Sequence, residues 1–381
     1  MTRPAPVGIA LVGCGYVADF YMESIPLHAD LEVVGVSDRD AARATAFADY
    51  HRVRRFAHLD ELLGDPAVEI IVNLTSPASH YAVSRAALDA GRHVYTEKPL
   101  AMSFHEAADL RHLADSAGLV LAGAPCSVMG ESAQTMWKQL RAGSIGRPRL
   151  AYADLDDGPV HRMNYREWRS ASGAPWPWRH EFATGSVMEH AAYAVSWLVA
   201  FFGPALRLTS FAATLVPDRT LDGHAKDFGV ACLEFERGVV ARLTTGTFAP
   251  RNRALRVFGD DGALSVRDVW DSGSPVHLTR RTPLYSRFET NRLIEPRLRR
   301  RVPLLRRPPP RNRNGYRMDY ALGIAETAAS IREGRRCRLA SDFTLHVAEI
   351  VLAMNDSAAP GSARELRTSI EPVTPMPFAG D

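Results

Sequence analysis

The sequence predicts two domains: an α/β domain built on a doubly wound parallel sheet, then an α+β domain with an open, mostly antiparallel sheet. In the first 124 residues, short apolar runs alternate with helical stretches, which is typical of the β–α units of a parallel sheet. Later apolar segments are separated by turns such as Glu236-Arg237-Gly238, which is typical of antiparallel strands. With 381 residues the chain can bury two hydrophobic cores, which we place at 1–124 and 125–381.

The composition is that of an ordinary globular protein. Hydrophobic residues make up 46% and charged residues 23% of the chain, and the net charge of +3 is too small to indicate a nucleic-acid partner. The longest apolar segment, at 187–202, is interrupted by polar residues, and no basic-then-apolar leader is seen. We therefore expect no membrane partner and a cytoplasmic location. The four widely spaced cysteines predict neither a metal site nor disulfides.

A glycine-rich turn follows the first strand. The apolar run Val7–Val12 leads directly into the pattern G-x-G-x-x-A, and a helical stretch comes next. This context is the fingerprint of a dinucleotide site: the first glycine permits the tight turn, and the second lets a pyrophosphate approach the backbone at the helix N-terminus. The residues of the turn that we expect to surround a dinucleotide are Gly13, Cys14, Gly15, Tyr16 and Val17.

The end of the second strand indicates which dinucleotide is bound. Asp38 follows the apolar run Leu31–Val36 and lies 25 residues after Gly13. A carboxylate there accepts hydrogen bonds from the adenosine ribose and repels a 2′-phosphate, which favours NAD. The neighbouring Arg39 could bind that phosphate instead, so NADP stays open. Asp38 could also be the N-cap of a helix over 39–51.

A lysine at the end of the fourth strand is the main functional signal. The run His93–Tyr95 leads into Thr96-Glu97-Lys98-Pro99-Leu100, so Lys98 lies at the carboxyl edge of the sheet, where open α/β sheets bind ligands. The chain has three lysines against 43 arginines. An amine, unlike a guanidinium, can lose and regain a proton when its surroundings lower its pKa. Lys98 could also be an ordinary solvated loop residue.

Three motifs together resemble the glucose–fructose oxidoreductase, inositol dehydrogenase and rhizopine-catabolism (Gfo/Idh/MocA) family. They are G-x-G-x-x-A, Thr75-x-Pro77-x-x-His80 and Glu97-Lys98-Pro99-Leu100, and the resemblance covers nearly the whole chain. It implies a Rossmann domain that binds NAD(P) and a hydride transfer at a ring hydroxyl or carbonyl of a sugar or cyclitol. It also implies a cis Lys98–Pro99 bond and a homodimer or homotetramer. The additional cofactor contacts that it implies are Thr75, Ser76, Pro77, His80, Glu97 and Lys98.

The resemblance also assigns roles on a predicted helix over 187–197. Glu189 and Tyr193 are spaced i, i+4 and share one face. Family members commonly carry an acidic residue and a histidine there, and a tyrosine resembles the glucose–fructose oxidoreductase and dihydrodiol dehydrogenase branches. This implies that Tyr193 exchanges the hydroxyl proton, Lys98 polarises the substrate oxygen and Glu189 orients the substrate. We expect Lys98 to lower the phenol pKa. Tyr193 could also be a core aromatic near Trp197.

His190 is a second candidate for the acid/base role, because an imidazole titrates near neutral pH. It lies about 100° around the helix from Glu189, so we expect it to face elsewhere.

An aromatic segment precedes this helix. Three of the six tryptophans lie within eleven residues, and arginines are interspersed among them. Aromatic faces and guanidinium groups suit the C–H faces and hydroxyls of sugars, so this segment could form a wall of the pocket. It could equally fold its aromatics onto the core. The predicted substrate contacts are Trp168, Trp176, Trp178 and Arg179.

Residues 287–314 form an Arg/Pro-rich insertion, with ten arginines between Arg287 and Arg313 and few apolar residues to bury. We expect a mobile insertion or subunit arm. A phosphorylated or nucleotide-linked substrate, or an acidic partner, would suit it; a solvated loop is the alternative.

Two other functions compete with an NAD(P)-dependent dehydrogenase. One is a lyase or glycoside hydrolase that retains NAD and uses transient oxidation to allow elimination. The other is a non-catalytic cofactor-binding protein, against which the retained Lys98 argues.

Overall fold

The structure is a computed structural model in which residues 5–216, 225–281, 299–356 and 362–380 are described. The strands of the first domain are β1 (Val7–Val12), β2 (Leu31–Ser37), β3 (Ile70–Asn73), β4 (His93–Thr96) and β5 (Leu121–Gly123). Its helices are α1 (Ala18–Ser24), α2 (Ala41–His51), α3 (Leu59–Gly64), α4 (His80–Asp89) and α5 (Phe104–Ala117). Within the described residues, these strands form one sheet in the order β2-β1-β3-β4-β5.

The first sheet creates a binding crevice at its carboxyl edge. All its strand pairs are parallel, and the chain leaves β1 for β2 on one side and continues with β3 on the other. Open sheets bind ligands at such a switch point, beyond the carboxyl ends of the strands. β1 is buried along its whole length, as expected of a strand covered on both faces. The predicted doubly wound parallel sheet is confirmed.

The second domain contains a larger sheet. Its strands are β6 (Pro148–Asp156), β7 (Ala205–Ala213), β8 (Phe228–Phe235), β9 (Val240–Gly246), β10 (Leu255–Gly259), β11 (Gly262–Val266), β12 (Val276–Arg280), β13 (Arg300–Val302) and β14 (Arg364–Glu365). In the described part of the chain their order is β13-β12-β11-β10-β6-β9-β8-β7-β14. The β6–β9 pair is parallel and the other pairs are antiparallel, which confirms the predicted open, mostly antiparallel sheet.

The helices that follow the first domain are α6 (Glu131–Arg141), α7 (Trp178–Thr184), α8 (Ser186–Phe202), α9 (Leu322–Glu333) and α10 (Ser341–Asn355). Of these, α6, α8 and α10 pack against strands of this larger sheet, whereas α9 packs against β4 and β5 of the first sheet. α8 is buried along nearly its whole length and packs against β9 and α10. Phe211 on β7 and Val240 on β9 are exposed apolar side chains. The expected homo-oligomer, which would cover such side chains, stays a prediction. Among the described residues, no helix is long and apolar enough to cross a membrane.

One detail differs from the sequence-based expectations. α2 is capped by Asp40 and not by Asp38, because the Asp40 carboxylate accepts hydrogen bonds from the amides of Ala42 and Arg43, both at 3.1 Å. The segment after Trp176 contains the short helix α7. The implied cis Lys98–Pro99 bond is confirmed.

Part of the Arg/Pro-rich insertion can be placed. Residues 282–298 lie outside the described residues, so that part of the prediction has no structural account. Arg300–Val302 pairs with β12 at the sheet edge, and the Arg306 guanidinium lies 2.7 Å from the Glu131 carboxylate. The boundary between residues 124 and 125 stays a prediction.

Candidate active site

A cavity of about 1560 Å³ lies between the carboxyl edge of the first sheet and the start of α8. It is larger than the roughly 300–1,000 Å³ usual for a small-molecule pocket, so a cofactor and a substrate can share it. The predicted site residues that line it are Gly13, Gly15, Tyr16, Val17, Asp38, Arg39, Thr75, Ser76, Pro77, His80, Glu97, Lys98, Trp168, Trp176, Trp178, Arg179, Glu189, His190 and Tyr193.

The two glycines of the first turn have different roles. Gly13 has φ +101°, and a Cβ there would lie 2.6 Å from the Leu74 carbonyl oxygen, so the turn itself requires glycine. A Cβ on Gly15 would meet no protein atom within 4 Å, so no protein group covers the Gly15 backbone on that side. This open cradle fits the pyrophosphate of a dinucleotide. The side chain of Cys14 is buried, with Sγ near the Ser37 carbonyl, so Cys14 offers the turn its backbone, and its contact with a dinucleotide stays a prediction.

Asp38 connects this turn to the next strand. Its carboxylate accepts hydrogen bonds from the amides of Cys14 and Asp40, both at 2.8 Å. The carboxylate is therefore fixed where the adenosine ribose of a dinucleotide would lie. Arg39 is exposed at the cavity edge, and the Arg43 guanidinium lies 3.6 Å from Asp38. A ribose hydroxyl and a 2′-phosphate would both find partners here, which agrees with an NAD(P) site.

The imidazole of His80 contacts the turns that follow β3 and β4. Its Nδ1 lies 2.6 Å from the Pro99 carbonyl oxygen and its Nε2 lies 3.0 Å from the Thr75 carbonyl oxygen. Burial lowers the pKa of this imidazole. His80 thus joins the backbone of the turn after β3 to that of Pro99, next to Lys98, and both of its ring nitrogens contact protein carbonyl groups.

Lys98 is held by two glutamates. Its Nζ donates a hydrogen bond to the Glu189 carboxylate at the start of α8, and its amide donates to the Glu97 carboxylate at 3.0 Å. Glu97 also accepts a hydrogen bond of 2.8 Å from the Tyr21 hydroxyl. Burial alone would lower the pKa of Lys98, but the acidic groups around it, Glu189 first among them, together outweigh burial and the pKa is raised well above its ordinary value. The side chain is therefore an ammonium in this arrangement.

Tyr193 lines the cavity, and Lys98 acts to lower the pKa of its phenol as expected, but the net shift of that pKa is upward. Burial raises the pKa of the phenol, and although Lys98 acts in the opposite direction it does not outweigh burial. The phenol is therefore protonated at neutral pH. Its ring contacts Trp270, with centroids 4.5 Å apart, and does not stack on Trp197, whose indole donates to Ser127 at 3.0 Å.

His190 also lines the cavity, which corrects the expectation that it faces elsewhere. Ser186, Glu189, His190 and Tyr193 are spaced i, i+3, i+4 and i+7, so they form one stripe of α8, and all four line the cavity. The His190 Nε2 lies 2.9 Å from the Asp157 carboxylate, which also accepts a 2.6 Å hydrogen bond from Arg253. Burial would raise the pKa of Asp157, but these two partners hold it well below its ordinary value. The Arg253 guanidinium stacks 3.4 Å from the Trp270 ring centroid.

The aromatic segment forms the opposite wall. Trp176 and Trp178 pack around the buried Tyr165, with ring centroids 6.0 and 5.7 Å from it. The Trp168 and Trp176 centroids are 5.0 Å apart, and the Arg179 guanidinium lies 4.3 Å from the Trp178 ring. The segment therefore does both things that the sequence left open: it packs on its own aromatic core and exposes one side to the cavity.

Sequence reasoning missed several residues that the fold brings to this cavity: Asp157, Glu181, Arg253, Trp270 and Tyr316. Most come from loops of the second domain, where no local motif marks them. Among the described residues, no group of three His, Cys, Asp or Glu side chains could hold a metal ion.

Comparisons with known proteins agree with this geometry. A model described as "Oxidoreductase family, NAD-binding Rossmann fold" matches residues 7–124, and a model of the GFO/IDH/MocA C-terminal domain matches residues 133–265. The chain is 30% identical over 239 residues to dTDP-3,4-didehydro-2,6-dideoxy-alpha-D-glucose 3-reductase of Streptomyces antibioticus, covering 63% of this chain and 68% of that protein. It is 24% identical over 328 residues to scyllo-inositol 2-dehydrogenase (NADP(+)) of Bacillus subtilis, covering 81% of each.

A solved structure shares the fold over nearly the whole chain. The WlbA dehydrogenase from Bordetella pertussis, in complex with NADH and UDP-GlcNAcA, superposes with a TM-score of 0.73 at 19% identity, covering 97% of this chain and 100% of that one. Alignments with some other curated relatives are shorter and span 33% or 50% of their lengths. The tyrosine-containing branch stays a prediction. The glycine cradle, the position of Lys98 and both family matches lead to one conclusion: this chain is an NAD(P)-dependent oxidoreductase of the GFO/IDH/MocA family.

Proposed function

We propose that this enzyme transfers hydride between NAD(P) and a ring hydroxyl or carbonyl of a sugar, sugar derivative or cyclitol. The observation that carries the proposal is the Lys98–Glu189 pair, which lies in the same cavity as the open Gly15 cradle and Tyr193. The names of the relatives, a deoxysugar reductase and an inositol dehydrogenase, support this substrate class.

Some residues of the cavity would bind the cofactor, and others would act on the reacting oxygen of the substrate. The Gly13–Val17 turn and Asp38 would hold the dinucleotide, whose nicotinamide supplies the hydride acceptor or donor when bound. The Lys98 ammonium, kept charged by Glu189, would donate a hydrogen bond to the reacting oxygen and stabilise negative charge that develops there. Tyr193, protonated at neutral pH, would give its proton to a carbonyl oxygen during reduction and pass a proton onward during oxidation.

The aromatic wall would position the substrate. Trp168, Trp176 and Trp178 offer flat apolar faces on one side of the cavity, which suit the C–H faces of a pyranose or cyclitol ring. His190 and Arg253 carry hydrogen-bonding groups on the other side, next to Asp157. The ring would lie between these walls, with one hydroxyl directed at Lys98 and Tyr193.

The test is reduction of NAD and NADP, assayed separately, over a panel of inositols, free sugars, sugar phosphates and nucleotide sugars. Turnover by the parent enzyme should fall by roughly 10²–10⁴-fold in Lys98→Met, because the charge that stabilises the reacting oxygen is lost. Lys138→Met is the matched control, since Lys138 lies on α6 outside the cavity lining and should keep parental activity. Equal activity of parent and Lys98→Met would contradict the assignment of Lys98.

If no compound of the panel is turned over, the state of the bound cofactor still distinguishes between the candidate functions. Nicotinamide that is released only on denaturation, with no net turnover, would favour the redox-assisted lyase or hydrolase. Absence of bound nicotinamide and of turnover would contradict the dehydrogenase.

A further inference from the structure

Three side chains that line the cavity each have a buried nitrogen with no hydrogen-bond partner among the described residues. The nitrogens are Nδ1 of His190, Nη1 of Arg253 and Nε1 of Trp270. Buried polar atoms in folded proteins nearly always have a partner, so each of these nitrogens requires an explanation. Because all three side chains border the cavity, a molecule bound there can supply the missing partner.

The three side chains form one cluster around Asp157. The Asp157 carboxylate accepts a hydrogen bond of 2.6 Å from Arg253 Nε and also contacts Arg253 Nη2, and His190 Nε2 lies 2.9 Å from it. The centroid of the Trp270 ring lies 3.4 Å from the Arg253 guanidinium and 5.7 Å from the centroid of the His190 ring. The Val269 amide donates to the Arg253 carbonyl at 3.0 Å, so the chain next to Trp270 is bonded to Arg253. The cluster is therefore assembled from α8 and from the segments after β6, before β10 and after β11.

The hydrogen-bonding capacities of the three nitrogens match those of a hydroxyl group. Guanidinium and indole nitrogens only donate, which accounts for Arg253 Nη1 and Trp270 Nε1. A carboxylate only accepts, so the Nε2 of His190 carries the hydrogen that faces Asp157, and the Nδ1 of a neutral imidazole is then an acceptor. A hydroxyl accepts two hydrogen bonds and donates one, which is the complement of two donors and one acceptor.

The charges of the cluster also favour a neutral group. Asp157 balances the charge of Arg253. Arg251, which shares the Tyr316 ring with Arg253, is paired with Asp268 at 3.1 Å. A carboxylate or phosphate bound here would lie close to the charge of Asp157 and would face an accepting nitrogen. A hydroxyl adds no charge and can use all three nitrogens.

We propose that His190, Arg253 and Trp270 form a specificity subsite that binds one hydroxyl of an uncharged sugar or cyclitol ring, other than the hydroxyl that reacts. The inference rests on the proposed function. The Trp270 ring also contacts Tyr193, with centroids 4.5 Å apart, so the subsite adjoins the residue to which proton transfer is assigned. The subsite selects substrates that carry this hydroxyl, because an analogue without it leaves buried nitrogens unpaired.

The test compares substrates that differ by one hydroxyl. The probes are myo-inositol, D-glucose and UDP-glucose, each with its monodeoxy analogues, and kcat and KM are measured separately. In the parent, loss of one non-reacting hydroxyl should lower kcat/KM by roughly 10–100-fold, mainly through KM. Trp270→Phe keeps an aromatic ring and removes the nitrogen, so it should lower kcat/KM about tenfold for the intact substrate and little for that deoxy analogue. Trp137→Phe, on α6 outside the cavity lining, is the matched control and should keep the parental pattern.

Arg253→Lys is the second variant, because it keeps a cation beside Asp157 and lacks Nη1. It should reduce the same deoxy penalty, and thermal unfolding shows whether either variant fails to fold, in which case the other decides. A deoxy penalty that is equal in the parent and in the folded variants would overturn the subsite. Turnover confined to anionic rings such as D-glucuronate would also overturn it, since the cluster would then bind an anion. No turnover over the whole panel contradicts the proposed function, whereas turnover with unchanged penalties contradicts only this inference.

Discussion

At Asp38, one carboxylate serves both the protein and the cofactor site. It accepts hydrogen bonds from the amides of Cys14 and Asp40, and these bonds hold the glycine turn against the end of β2. The same carboxylate lines the cavity with Arg39 and Arg43, and we expect it to border the adenosine ribose of a bound dinucleotide. The balance between one carboxylate and two guanidinium groups should therefore set the preference between NAD and NADP.

We predict that Asp38→Asn shifts the ratio of the NADPH to the NADH dissociation constant by roughly tenfold toward NADPH, because a charge that repels the 2′-phosphate is removed. The measurement is nicotinamide fluorescence on titration of each cofactor. Asp40→Asn removes the same charge two residues away and keeps a capping side chain, so its ratio should stay close to that of the parent. An unchanged ratio in Asp38→Asn would show that the arginines alone decide the preference.

The turn between β1 and α1 shows how one short motif combines two separate constraints. Gly13 is required by the backbone, because its φ is positive and the Leu74 carbonyl is close. Gly15 is free of protein contacts and faces the cavity. Folding and binding should therefore be separable by single substitutions in this element.

Gly15→Ala should leave the unfolding temperature of the apoprotein unchanged within about 1 °C, since the added methyl meets no protein atom. It should weaken NAD(P) binding by roughly tenfold or more, because the methyl occupies the place of the pyrophosphate. Gly13→Ala should instead lower the free energy of unfolding by about 1–3 kcal/mol. Thermal unfolding with and without cofactor measures both effects. Loss of stability in Gly15→Ala without cofactor would contradict the open cradle.

At the scale of the molecule, Asp19 joins the two domains at the cofactor helix. This residue of α1 is fully buried and contacts His51 of α2 at 2.6 Å. It also accepts hydrogen bonds from the Ser172 hydroxyl, at 2.8 Å, and from the Ser172 amide. Ser172 belongs to the aromatic segment, so the substrate wall is attached to the helix that follows the glycine turn. Burial acts to raise the pKa of Asp19, but the hydrogen bonds from His51, Ser170 and Ser172 outweigh it and the pKa is lowered.

We predict that Asp19→Asn lowers the free energy of unfolding by about 1–3 kcal/mol at pH 7. The folded-state pKa lies below the unfolded value of about 3.9, so the stabilisation is complete above that value and is lost as the pH falls through the folded pKa. The difference between parent and variant should therefore narrow as the pH falls below about 4. Urea unfolding measures it, with the exposed Asp49→Asn on α2 as control. A difference that grows on acidification would contradict this assignment.

The sequence located the parts of the site that belong to local motifs. The G-x-G-x-x-A turn, Asp38 and Lys98 could be predicted because each follows a buried strand, and parallel strands bring their carboxyl ends to one edge. The spacing of Glu189 and Tyr193 also predicted correctly that both face one side of a helix. The caps and short elements, such as Asp40 and α7, were less predictable because small differences in local hydrogen bonding decide them.

By itself, then, the sequence determined the fold class, the family and the order of the motifs. Hydrophobic periodicity and glycine positions specify local structure over a few residues, and this local structure does not depend on the packing of distant segments. Only the tertiary structure decided the electrostatics. Burial raised the pKa of Tyr193 against the charge of Lys98, and the fold placed His190 at the cavity wall beside Asp157. Glu181 acquired its surroundings from three separate segments of the chain. Desolvation and charge–charge distances depend on residues far apart in sequence, so no local pattern records them.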